Sequence, residues 1–197
     1  MNIRGEHCNP GVMPTIIKEV YFPPDAPMEV ATLMESSLVY QNSANYEMAV
    51  KSLEMARDSW RILAIPEPVP DTDDSPMKVN KKPKLAEPPV PVLLRPEQEL
   101  YFELALGSIY ESAGKDDIAM SCYMRALDIK LVANHPDEAF AYCGLGSVLY
   151  NIDEPAWSLR CYLKARQIRE ERLGGDTVDT AAVYNNLGCN MYYLERN

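Results

Sequence analysis

The segment E-L-A-L-G-S-I-Y (residues 103–110) recurs twice along the chain, as Y-C-G-L-G-S-V-L (142–149) and as Y-N-N-L-G-C-N-M (184–191). The three copies align on a Leu-Gly pair, and their glycines are separated by 39 and 42 residues. Self-similarity at spacings of this length is typical of repeat proteins, in which each copy is one supersecondary unit and stacked copies bury a continuous core. We therefore expect a repeat architecture.

The residues that follow the first two glycines are also similar. A-M-S-C-Y-M-R-A (119–126) follows Gly107, and S-L-R-C-Y-L-K-A (158–165) follows Gly146. In both, a small residue lies 12 positions after the glycine, an aromatic residue 16 positions after it and an alanine 19 positions after it. Small residues allow two antiparallel helices to approach closely, and the aromatic side chain fills the gap between neighbouring pairs. This spacing predicts a unit of two helices.

Glycine, proline and acidic residues mark the ends of the predicted helices. Gly114 lies where a first helix should end, and the stretch D-E-P (153–155) is typical of a cap followed by proline in the first helical turn. Asp137 and Asp179 precede the next first helices as N-cap or first-turn acids. The glycines at 174–175 should end the long helix that starts at the D-E-P stretch.

These segments resemble tetratricopeptide repeats (TPRs), whose pattern is an aromatic residue followed by Leu-Gly, Tyr, Ala, an aromatic residue and Ala at set intervals. The linkers N-H-P-D-E-A (134–139) and L-G-G-D-T-V-D-T-A (173–181) resemble the kinesin-light-chain-like subclass, in which the second helix is extended. The resemblance implies an all-α fold, an α-solenoid of antiparallel helix hairpins that forms a TPR superhelix. It also implies that the first helix of each unit builds a concave wall for a partner.

A degenerate copy of the repeat is predicted nearer the N-terminus, with Ser37 in place of the glycine. We therefore divide the chain into an N-terminal extension (1–25), a degenerate TPR hairpin (26–64), a Pro-rich insertion or loop (65–96) and an array (97–197) of two TPR units plus the first helix of a third. Residues 66–96 hold nine of the 16 prolines, which excludes a regular helix there.

The third unit is expected to lack its second helix, because Y-Y-L-E-R-N (192–197) ends where that helix should begin. A first helix alone leaves Leu187, Met191 and Leu194 partly uncovered, whereas solenoids normally close with a polar cap. We expect an incomplete array, as in a piece of a longer protein, or a second subunit that covers this end. Its open face is a candidate contact.

Composition restricts the partner classes. A net charge of -10 disfavours nucleic acid and anionic lipid, since both are bound by clustered Lys and Arg. No signal peptide is expected, and no apolar run reaches membrane-spanning length. The five cysteines include no C-x-x-C pair, which favours reduced thiols. We expect a cytoplasmic protein, with association to the cytoskeleton or a cilium as the alternative. We expect its partners to be proteins, which could belong to a large multi-subunit complex.

Motifs that would carry catalysis are incomplete. The two histidines are His7 and His135, and His135 lies in a repeat linker, which disfavours a nucleophile-histidine pair. The G-L-G at 144–146 lacks a third glycine and a preceding strand, so helix packing explains it better than dinucleotide binding. Cys122 and Cys161 share one repeat offset and are interpreted as small packing residues. We predict no enzyme activity, no cofactor, no metal and no small-molecule substrate.

The partner-binding groove is placed on the first helices because the resemblance implies it. Its predicted side chains come from all three Leu-Gly units and are Tyr101, Ser108, Phe140, Ser147, Tyr150, Asn151, Asn185, Asn186 and Tyr193. Asn185 and Asn186 are the strongest candidates because an amide both donates to and accepts from a peptide backbone; the alternative is that they are merely exposed or capping residues.

Two functions follow from the resemblance. The first is a non-enzymatic scaffold that binds a partner peptide or helix in the concave groove. The alternative is a structural component of a cytoskeletal or ciliary (axonemal) assembly. Chaperone-tail recognition is disfavoured, because the matching groove positions carry no Lys or Arg.

Overall fold

The computed structural model describes residues 25–63, 93–129, 136–173 and 177–196. Within these ranges every regular element is an α-helix and there is no strand, which confirms the all-α class. We number the helices α1 (Met28–Asn42), α2 (Tyr46–Leu63), α3 (Pro96–Ser112), α4 (Asp116–Asp128), α5 (Pro136–Asn151), α6 (Pro155–Leu173) and α7 (Val178–Arg196).

Three-residue turns of the same construction join α1 to α2, α3 to α4 and α5 to α6. The middle residue of each turn has a positive φ angle, 58° at Ala44, 69° at Gly114 and 67° at Asp153. Its N–H donates to the carbonyl three residues back, and the next N–H donates to the carbonyl five residues back, as in a Schellman motif. Gly114 adopts this φ without steric conflict, whereas Ala44 and Asp153 are strained. Asp153 thus belongs to the turn, and α6 begins at Pro155 as predicted.

Glycines let the paired helices approach closely. A Cβ atom added to Gly107 would lie 2.6 Å from the ring of Tyr123, and one added to Gly146 would lie 2.9 Å from the ring of Tyr162. Both tyrosines have 0% of their surface exposed. Gly144 of α5 contacts Tyr123 of the preceding pair, with a 2.2 Å separation for an added Cβ. Tyr123 therefore fills the gap between two neighbouring pairs as predicted, whereas Tyr162 contacts the glycine of its own pair.

A serine hydroxyl ties the same two positions in two of the pairs. Ser37, at the glycine position of the degenerate copy, donates to the carbonyl of Ala49 at 2.8 Å. Ser158 donates to the carbonyl of Gly146 at 2.6 Å. Ala49 and Ser158 each lie 12 residues after their partner, so equivalent positions are bonded in the α1–α2 and α5–α6 pairs. The serine donor is on the first helix in α1–α2 and on the second helix in α5–α6.

Each helix packs against the next one in the chain, α3 also contacts α5, and α5 contacts α7. One hydrophobic cluster extends from α1 to α5 and includes Trp60 and Phe102, whose rings meet edge to face with centroids 6.2 Å apart. A second cluster joins α5, α6 and α7 around Tyr162 and Ile168. It includes Leu187, which is 5% exposed, so the expectation that Leu187 is partly uncovered is wrong. The described helices therefore share buried surfaces in chain order.

Several predictions concern residues outside the described ranges. They include all of the N-terminal extension except Asp25, most of the 65–96 insertion, the linker histidine His135 and the glycines at 174–175. The proposed domain boundaries stay predictions.

Candidate partner-binding surface

The predicted groove residues differ in their exposure. Ser108, Phe140, Ser147 and Asn186 are buried, with 1% to 8% of their surface exposed. Asn185 is exposed, and the remaining four are half-buried: Tyr101, Tyr150, Asn151 and Tyr193. The part of the predicted site that a partner can reach therefore consists of these five residues.

Gln41 of α1 bonds the two serines on α3. Its Nε2 donates to Oγ of Ser108 and to Oγ of Ser112, both at 3.0 Å. The Ser112 hydroxyl in turn donates to the backbone carbonyl of Ser108 at 2.9 Å. The Ser108 hydroxyl, which was predicted to face a partner, thus accepts a hydrogen bond from the Gln41 amide. Gln41 could not be identified from the sequence, because 67 positions and the proline-rich segment separate it from Ser108.

Tyr193 of α7 is engaged within the chain. Its ring meets that of Tyr150 edge to face, with centroids 5.5 Å apart and an interplanar angle of 67°. Its hydroxyl donates to Oδ1 of Asp153 in the α5–α6 turn at 2.5 Å. Substitution of Tyr193 would disturb this internal contact as well as any partner contact, so Tyr193 is a poor probe of binding.

The asparagines of α7 divide into accessible and structural residues. Asn185 is exposed, whereas Asn186 is 8% exposed. Asn190 is fully buried and its Nδ2 donates to Oγ of Ser158 at 2.7 Å. Asn190 was not among the predicted site residues, although it aligns with Val148 of the preceding unit, which is also buried. Of the two candidates emphasised by the sequence, the structure leaves Asn185 available to a partner.

An ion-pair network joins α2, α3 and α4. Glu103, 6% exposed, lies 3.4 Å from Arg57 and 2.8 Å from Arg125. Glu99 pairs with Arg57 and, at 2.9 Å, with Arg61. Three arginines therefore neutralise two carboxylates at i and i+4 of α3. No local sequence pattern indicated the network, because its members come from three helices on either side of the proline-rich segment.

The carboxylates in this network line a cavity of about 330 Å³ together with Arg125, Asp128 and Ile129. Each glutamate is held by an arginine, so neither is a free acid or base. We therefore interpret the cavity as a space left where α2, α3 and α4 pack together, and not as a catalytic site.

The described cysteines are all free thiols. Burial raises the pKa of Cys122, although Arg125 opposes the shift, and burial raises the pKa of Cys161 to about 11. Both thiols are therefore protonated at neutral pH, which makes them poor nucleophiles. Within the described ranges there is no group of three His, Cys, Asp or Glu side chains placed to hold a metal ion.

Acidic side chains lie near Tyr101 in the N-terminal part of α3. Burial, followed by the charges of Asp137, Asp25 and Glu97, raises the pKa of Tyr101. Asp25 is itself paired with Arg95. The half-buried phenol of Tyr101 therefore lies near the carboxylates of Asp137 and Glu97.

A scan of known protein-family models and a search of curated proteins both return no match. In the part of the chain that the structure describes, no helix combines the length and apolar character that a membrane span requires.

Proposed function

We propose that this chain is a non-enzymatic scaffold that binds another protein and is built as a TPR superhelix of antiparallel hairpins. The observation that carries the proposal is the common construction of the helix pairs. Three turns share one hydrogen-bond pattern, and two tyrosines lie on the Leu-Gly glycines at the same offset of 16 residues. Stacked units of one design create an extended surface on which successive first helices lie side by side.

The binding surface is formed by first helices, and its accessible residues are Tyr101 on α3, Tyr150 and Asn151 on α5, and Asn185 on α7. The amides can donate to and accept from a partner backbone with little dependence on its sequence. The net charge of -10 and the carboxylates around Tyr101 favour a basic or neutral partner segment.

The test is quantitative co-purification of a tagged chain from native cells. Asn151→Ala combined with Asn185→Ala should reduce recovery of specific partners, because it removes two accessible amides of the groove. Gln167→Ala is the matched control: it removes an exposed amide from the second helix α6.

Equal loss of partners from both variants, or from neither, would argue against the groove. Retention of the chain in the detergent-insoluble cytoskeleton, insensitive to both changes, would favour the structural role instead.

A further inference from the structure

The carboxyl group of Glu111 on α3 is held by a tyrosine of the next helix. The hydroxyl of Tyr123 on α4 donates to Oε2 of Glu111 at 2.8 Å. Tyr123 is 0% exposed, and Gly107 of α3 and Gly144 of α5 both lie against its ring. Because the ring is enclosed by two helices, its hydroxyl cannot turn away from Glu111.

Helices α5 and α6 also place buried hydroxyls near this carboxyl group. Ser147 of α5 is 1% exposed and its hydroxyl lies close to Glu111, although no described group completes a hydrogen bond with it. Tyr162 of α6 is 0% exposed, its hydroxyl likewise has no hydrogen-bond partner among the described residues, and the charge of Glu111 acts on it. Glu111 is therefore surrounded by side chains from both neighbouring helix pairs.

The charges around Glu111 disfavour its ionised form. Burial raises the pKa of its carboxyl group, the two hydroxyls nearest to it oppose the shift, and the like charge of Asp116 on α4 adds to it. Lys115, the nearest basic residue along the chain, has its ammonium over a tyrosine ring at 5.9 Å. An ionised Glu111 is therefore a buried charge that hydroxyls stabilise only in part.

We propose that Glu111 is a pH-sensitive switch that sets how tightly α5 packs on α3 and α4. When its carboxyl group is protonated, the α3–α4 and α5–α6 pairs pack closely as described. When the group is ionised, α5 separates from α3 and α4 far enough to admit water to the carboxylate.

The enclosed ring determines which helix moves. Water cannot reach the carboxylate by displacement of Tyr123, because Gly107 and Gly144 hold the ring. Ser147 lies on α5, which contacts both α3 and α4, so a small displacement of α5 exposes Glu111 without breaking the turn that joins α3 to α4.

The switch has a consequence for binding that rests on the function proposed above. Helices α3 and α5 both contribute to the proposed groove, so their separation changes its shape. Partner binding through Tyr101 and Asn151 should then depend on pH with the same midpoint as the ionisation of Glu111.

Backbone amide hydrogen exchange of the purified intact chain, followed by NMR and corrected for the intrinsic pH dependence of exchange, tests the switch. Protection of the α5 amides around Ser147 should fall as pH rises from 4.5 through the midpoint at which the ¹³C signal of the Glu111 carboxyl titrates. The opening equilibrium should increase about tenfold for each pH unit that separates this midpoint from 4.5.

Three variants separate the switch from a general effect of pH. Glu111→Gln stays neutral and should keep the α5 amides protected at both ends of the titration. Glu97→Gln, which removes an exposed carboxylate from the same helix, should leave the pH dependence unchanged. Tyr123→Phe should move the midpoint to higher pH, because it removes a hydrogen bond that favours the ionised carboxylate.

Protection of α5 that stays constant across the midpoint would overturn the proposal, as would a pH dependence that persists in Glu111→Gln. An equal loss of protection in every described helix would overturn it too, because the whole fold and not α5 would then respond. The exchange experiment contains no partner, so its failure leaves the proposed groove standing. Failure of the co-purification test would remove the consequence for binding and leave the switch.

Discussion

Replacing Gly144 by alanine tests how closely α4 and α5 approach each other. The new Cβ would lie 2.2 Å from Cζ of Tyr123 and 2.5 Å from its Cε1. The ring cannot move away freely, because Gly107 contacts it with an equivalent separation of 2.6 Å. Tyr123 also donates from its hydroxyl to Oε2 of Glu111 at 2.8 Å, which further fixes the ring.

Two opposing contributions determine the change in unfolding free energy. Alanine in place of glycine in a helix interior stabilises by about 1 kcal/mol. Overpacking a close-packed core costs about 1–3 kcal/mol, and the 2.2 Å separation places Gly144 near the upper end of that range. Gly144→Ala should therefore destabilise by about 1–2 kcal/mol. Gly188→Ala has no described neighbour to overlap with and should stabilise by about 1 kcal/mol.

Urea unfolding followed by circular dichroism measures this difference directly, and the two variants should differ by about 2–3 kcal/mol in unfolding free energy. In thermal unfolding, their melting temperatures should shift in opposite directions by about 2–4 °C for each kcal/mol. Two variants with the same shift in sign and size would refute the packing arrangement, since helix propensity alone would then explain both.

Three further predictions concern single side chains. Burial, with a smaller contribution from Asp116, raises the pKa of Glu111 above its ordinary value of 4.5. The protonated carboxyl therefore contributes its full stability below pH 4.5, and this contribution is lost as pH rises through the pKa of the folded state. Relative to wild type, Glu111→Gln should therefore gain stability as pH rises through that window in thermal melts; a constant difference would contradict the shift. Glu103→Gln should lower the unfolding free energy by about 1–3 kcal/mol and less at high salt, because Arg57 and Arg125 lose their shared carboxylate; a loss that does not vary with salt would count against the network. Gly114→Ala should destabilise by about 1 kcal/mol or more in urea unfolding, because its φ is 69°; no change would indicate a different turn.

Sequence reasoning located the features that depend on local spacing. The aromatic residue 16 positions after the glycine was predicted to fill the gap between neighbouring pairs, and Tyr123 does so at Gly144. The turn and proline signals placed the start of α6 at Pro155. These predictions succeeded because a helix pair joined by a short turn brings residues of fixed separation together.

Features that join different units were not predictable in this way. The bond from Gln41 to Ser108 and the pairing of Arg57 with Glu103 depend on how the α1–α2 pair sits on α3, across the proline-rich segment. The exposure of the predicted groove residues could not be read from the sequence either. The adjacent residues Asn185 and Asn186 look equivalent in the N-N-L-G motif, yet Asn185 is exposed and Asn186 is buried. A helical position shows which face a residue occupies but not what covers that face.

The central claim is that partners bind along the first helices. Site-specific incorporation of a photo-crosslinking phenylalanine derivative at Tyr101, Asn151 or Gln167, followed by irradiation in native cells and mass spectrometry, tests it most directly. Crosslinks from positions 101 and 151 to the same protein, with none from position 167 on α6, are the predicted result. Crosslinks to that protein from position 167 but not from 101 or 151 would contradict the claim.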